Sequence, residues 1–186
     1  MGENDGISAS ADSSDADSSP PGSFAADPAS ILGPDSATAS ARGCRVDFYV
    51  LPADSAAARL KVACRLAEKA YLASQSTLIW HTDRAELETV DTLLWTFADG
   101  SFVPHDWLTS NGPPEAPVLL SAGTTPRAAF DFMVNLAADL PPFLPLARRI
   151  AEIIDGEEGR RRAGRARFKA YRELGIEPRT HTLRTD

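Results

Sequence analysis

The densest chemistry in this sequence lies near its end, where Arg160, Arg161, Arg162, Arg165, Arg167, Lys169 and Arg172 fall within a predicted helix. Guanidinium groups hold carboxylates and phosphates through paired, charge-assisted hydrogen bonds, so this density calls for an anionic partner. At about 100° per residue, Arg161, Arg165, Phe168 and Arg172 line one stripe. Ala163, Ala166, Ala170 and Leu174 lie roughly opposite and are expected to pack on the body of the protein. An aromatic ring inside an arginine stripe adds an apolar contact beside charge capture, which suits an acidic peptide, a terminal carboxylate or a nucleic-acid backbone. Two other accounts stay open. The basic residues could simply complement the helix dipole, with Phe168 covering a neighbouring loop, or the patch could bind single-stranded DNA directly. Direct DNA binding calls for a basic groove over several elements, and outside its first 42 residues the chain is close to neutral, so an acidic peptide is the better reading.

Other chemistries lack their residues. The first strand-to-helix turn reads Leu51-Pro52-Ala53-Asp54-Ser55-Ala56. It offers no glycine for close approach to a pyrophosphate and no Gly-Lys-Ser/Thr cradle, and Asp54 reads as a helix N-cap. There is no Gly-x-Ser-x-Gly elbow and no His-Glu-x-x-His helix. His81, His105 and His181 are widely spaced. His81 with Asp83 could form a base and its orienter, but a half-exposed histidine beside a helix cap is the simpler account, and His105 is expected to pack or hydrogen-bond locally. Glu157 and Glu158 stand where the dipole of the last helix favours negative charge. Cys44 and Cys64 form neither a metal cluster nor a disulfide framework, which fits a reducing compartment. The expectation is a chain with no catalytic set, no metal site and no implied cofactor. A small α/β enzyme or nucleotide-binding protein is the alternative.

These residues need a frame to hold them. Residues 1–42 carry seven acidic side chains against Arg42 alone, about six of the chain's seven net negative charges. Their larger apolar residues are only Met1, Ile7, Phe24, Ile31 and Leu32, too few to offset the entropy of ordering the backbone, so a disordered, low-complexity acidic tail is expected there. Residues 43–186 form the predicted domain. Strands are expected at 45–51, 77–81, 118–121, 129–136 and 149–154, and helices at 54–74, from the Asp83/Glu86 capping pair to Phe97, and at 157–174. Residues 99–117 read as a Gly- and Pro-rich loop. Alternating strands and helices predict an α/β, Rossmann-like three-layer fold with a largely parallel sheet. No signal peptide or membrane-spanning run is apparent, so the expected location is cytoplasmic.

Three segments, in this order, resemble the chi subunit of bacterial DNA polymerase III. They are Asp47-Phe48-Tyr49-Val50-Leu51; Leu94-Trp95 followed by Ser101-Phe102-Val103-Pro104-His105; and Arg165-Ala166-Arg167-Phe168-Lys169-Ala170-Tyr171-Arg172. The resemblance covers about residues 44–186. It implies a Rossmann-like fold without nucleotide binding and a non-catalytic accessory subunit in DNA replication. It also implies a bridge between the psi subunit of the clamp loader and the acidic C-terminal tail of single-stranded DNA-binding protein, so that contact with nucleic acid is mainly indirect. By matching position, Arg161, Arg165, Phe168 and Lys169, with Ile154 on the preceding strand, would cradle that tail. Trp95 and Phe102 match positions on a surface for psi or a competing helicase. In its own sequence context Trp95 lies beside the apolar stripe of its helix and could equally be core. The 42-residue acidic tail departs from the compact family pattern.

Overall fold

The computed structural model describes residues 44–110 and 115–183. The stretch expected to be a disordered tail lies outside the described residues. Seven strands form one sheet: β1 (Arg45–Val50), β2 (Thr77–His81), β3 (His105–Trp107), β4 (Val118–Ala122), β5 (Phe130–Asn135), β6 (Ala147–Ile154) and β7 (Arg179–Thr182). Their order is β3-β4-β2-β5-β6-β1-β7, and every neighbouring pair is parallel. Central strands read as near-continuous apolar runs, as a sheet covered on both faces requires. On one face, α1 (Ala56–Leu72) and α2 (Arg84–Thr96) cover Tyr49, Ile79, Leu120, Phe132 and Ile153. On the other, α3 (Glu158–Glu173) and residues 140–146 cover Val46, Phe48, Trp80, Met133 and Ile150. The predicted three-layer α/β arrangement with a parallel sheet is the one found.

Local departures have local causes. Ser55, not Asp54, caps α1, accepting from the Ala58 N–H at 3.2 Å; Asp54 is exposed and faces Arg160 at 3.5 Å. Asp83 caps α2 through the Ala85 N–H as expected, but Glu86 does not complete a reciprocal capping box. The Asp83 N–H already donates to His81 Nδ1 at 2.7 Å, so Glu86 turns to Arg59 at 3.3 Å. Two edge strands were not expected. β3 lies inside the predicted loop, three residues long and without an apolar alternation to reveal it. β7 contains only Arg, Thr and His, and its anchor is non-local: His181 stacks on Tyr49 with ring centroids 5.1 Å apart and bonds Asp47 at 2.9 Å. Short, polar edges of this kind also protect a sheet against pairing with other chains.

Candidate protein-interaction site

The last helix, α3, turns a different face inward from the one its alanines suggest. Its buried residues are Gly164, Arg167 and Tyr171, not the alanine stripe: Ala166 and Leu174 are exposed. Alanines bury little area, whereas Tyr171 and the stem of Arg167 bury much more, and a polar network rewards bringing their ends inside. Arg167 forms two bonds to Glu152 Oε2, from Nε at 2.9 Å and Nη2 at 2.7 Å, and donates to the Ala138 carbonyl at 2.6 Å. Glu152 Oε1 accepts from Tyr171 Oη and from Asn135 Nδ2, each at 2.8 Å. Glu152 is fully buried, so each of its lone pairs must find such a donor. Gly164 lets the helix come close: a Cβ there would fall 2.8 Å from Ile154 Cδ1.

Phe168 is rotated with them. It is half-buried, edge-on to Phe48 at 5.2 Å, at the border of the core rather than clear of it. Its ring thus has a packing role on the strand side as well as an edge toward solvent. Ile154, 6 % exposed, ends β6 beneath Gly164. Around this apolar border stand Arg161, half-buried, and the exposed Arg162, Arg165 and Lys169. Arg161 and Arg162 have no acidic partner among the described residues. Arg165 reaches Glu158 at 2.8 Å and Lys169 lies 3.6 Å from Glu173, all four side chains at least 65 % exposed. Such exposed pairs contribute about 0–1 kcal/mol and are easily exchanged.

The N-terminus of α3 faces a crevice at the C-terminal ends of β2, β5 and β6, where parallel α/β sheets commonly take ligands. Here the chain itself takes up the anion-binding groups. Glu157 accepts from the Gly159 and Arg160 N–H groups, each at 2.7 Å, the donors a phosphate would want. Those two bonds hold the Glu157 carboxyl below its ordinary range. Arg160 clamps Asp155 at 2.6 and 2.7 Å. Burial alone would raise the Asp155 carboxyl, but the bonds and charge of Arg160 outweigh it and hold it low. Arg59 donates to Glu86 and to the carbonyls of Ile153 and Leu136. Gly156 brings the two strand-end turns backbone to backbone, its N–H bonded to the Ala53 carbonyl at 2.8 Å; a Cβ there would sit 2.5 Å from Asp54 N.

The remaining candidate residues fall elsewhere. His81 is not oriented by the Asp83 carboxylate, which serves the helix cap, and burial lowers its pKa against the pull of Glu86. His105 binds locally as expected, with Nδ1 2.7 Å from the Val103 carbonyl and Nε2 3.4 Å from Asp91. Cys64 is a fully buried thiol, pushed up to about 12 by burial. Among the described residues no group of His, Cys, Asp and Glu could hold a metal ion, and no helix is long and apolar enough to cross a membrane. Trp95 settles on the surface: it is 52 % exposed and Phe102 59 %, with ring centroids 5.2 Å apart and His105 5.0 Å from the indole. Two large aromatic rings held together in water form the kind of anchor that protein interfaces use.

This is an α/β layer protein whose last helix has its N-terminus capped by the chain's own carboxylate, and whose outward features are a basic helix and an aromatic pair, both surfaces suited to contact with other macromolecules. The family model of the DNA polymerase III chi subunit, HolC, matches residues 44–179, and the chain belongs to that family. It is 40 % identical over 139 residues to DNA polymerase III subunit chi of Pseudomonas aeruginosa, covering 75 % of this chain and 96 % of that one. It is 26 % identical over 141 residues to the Escherichia coli protein of the same name, covering 73 % and 95 %. With the Haemophilus influenzae protein, also DNA polymerase III subunit chi, the identity is 24 % over 129 residues. The chain is thus a non-catalytic accessory subunit of DNA polymerase III in DNA replication.

Proposed function

We propose that this chi-family chain is a cytoplasmic adaptor that joins the psi subunit of the clamp loader to the acidic C-terminal tail of single-stranded DNA-binding protein. In this reading Arg165 pairs with the terminal carboxylate of the tail, Arg161 and Lys169 attract its acidic residues, and Ile154 and Phe168 hold its apolar last residue. Trp95 and Phe102 take psi, or a helicase that competes with it. The observation that carries the reading is the outward face of α3. There the half-buried ring of Phe168, at the edge of the helix above the buried Ile154, lies beside cations whose partners among the described residues are absent or weakly held. Affinity for one tail is modest, and a partner with several tails raises retention through effective concentration. Contact with DNA is then mainly indirect.

The test is the binding of the full chain to a labelled peptide copying the last residues of its own single-stranded DNA-binding protein, with Arg165→Ala in parallel. The expected result is binding that weakens with salt and drops about tenfold or more in the variant, since a hydrogen-bonded charge contact contributes roughly 1.5–3 kcal/mol. A folded chain that ignores the peptide yet binds single-stranded DNA tightly would replace this reading with direct DNA binding. Thermal stabilisation by a nucleotide would favour the nucleotide-binding alternative, against the occupancy of the α3 N-terminus by Glu157.

A further inference from the structure

We propose that the acidic N-terminal segment of this same chain is a second ligand for the basic face of α3, competing there with the external peptide; the idea rests on reading that face as an acidic-peptide site. The first support is chemical. Residues 1–42 hold seven carboxylates against one arginine, and Asp27 and Asp35 flank the apolar Ile31 and Leu32. Acid beside bulky apolar residues is the combination that Arg161, Arg165, Lys169 and Phe168 are arranged to hold.

The second support is position. The described chain begins at Cys44, which packs into the same apolar cluster as Phe168, Tyr171 and Ile176, so the segment enters the fold beside the C-terminal half of α3. Asp35 lies nine residues before Cys44. Nine residues span up to roughly 30 Å, and a helix of this length is about 24 Å long. Every acidic residue of the segment can therefore reach the stripe. The third support is electrostatic demand: Arg161 and Arg162 have no acidic partner among the described residues, and Arg172 meets only the exposed Glu177 at 3.5 Å. The segment carries no terminal carboxylate, so each contact is weaker than the external peptide's, but the tether supplies an effective concentration of about millimolar order.

The lysines of this chain make the contact measurable. There are three: Lys169 on α3, and Lys61 and Lys69 on α1 across the sheet. Treating the full chain with a carbodiimide joins carboxylates to amines in contact, and mass spectrometry maps the pairs. The expected result is that segment carboxylates join Lys169 several-fold more than Lys61, which is also exposed, and that the excess vanishes near ~0.5 M salt, where screening is short-ranged. A full chain carrying Asp27→Asn and Asp35→Asn should bind the external peptide several-fold more tightly. Cross-links spread evenly over the lysines, or none at Lys169, would overturn the proposal. Links concentrated on Lys169 in a chain that ignores the external peptide would uphold the intramolecular contact and sink the replication-partner assignment. Peptide binding with evenly spread links would do the reverse.

Discussion

The two faces of α3 put the same side chain to opposite uses. On the inner face Arg167 is 6 % exposed and doubly bonded to the fully buried Glu152; on the outer face Arg165 is 65 % exposed and its acidic partner among the described residues is the exposed Glu158. The inner guanidinium is fixed in place and already neutralised, so it has nothing to offer a partner. The outer one is free to exchange a weak contact for a stronger one. A run of arginines is thus not one feature but two, divided by the helix period into an anchor and a docking surface. The anchor determines where the docking surface points.

Removing the anchor should have the largest effect. Glu152→Ala leaves the Arg167 charge buried without its partner, and a loss of about 3–5 kcal/mol is expected in chemical denaturation. A loss under 1 kcal/mol would show that Arg167 escapes to solvent and that the inner face is not an anchor. Tyr171→Phe removes one donor to a charged acceptor and is expected to cost roughly 1.5–3 kcal/mol, with the ring still packed on Phe48.

Acid sharpens the comparison further. Burial would raise the Asp47 carboxyl, but the His181 bond and the charges of Arg149 and Arg45 hold it below the ordinary value of 3.8, as Arg160 does for Asp155. A carboxyl lowered by folding stabilises the native state above its unfolded pKa, and that contribution is lost as pH falls through the folded value. Stability should therefore decline below about pH 4, and less so in Asp155→Asn, which has already lost the contribution; equal declines would remove Asp155 from the account. The smallest stability effect belongs to the surface. Arg165→Ala and Trp95→Ala should each shift denaturation by no more than about 0.5 kcal/mol. A larger shift from Trp95→Ala would return that ring to the core.

The layers of this fold were readable because apolar β-branched runs alternate with amphipathic stripes, and those patterns report burial directly. The helix rotation was not. A pattern that counts apolar residues assigns Ala163, Ala166 and Ala170 to the inside and arginine to the outside, and cannot see that Glu152, a lone acid in the run Ile150-Ala151-Glu152-Ile153-Ile154, demands a buried cation. That acid in an otherwise apolar strand was the available signal. β7 gave no local signal because Asp47 and Tyr49, more than a hundred residues earlier, hold it. The outer stripe was visible as charge at helical spacing, while Trp95 and Phe102 become a pair only when the loop after α2 folds back.

The most direct test follows amide and indole resonances of the full chain as the acidic peptide is added. The account predicts shifts at Ile154 and along Arg161 to Lys169, with the Trp95 indole unmoved and the Arg167 side chain unchanged. Shifts centred on Trp95 and Phe102, with α3 silent, would contradict it.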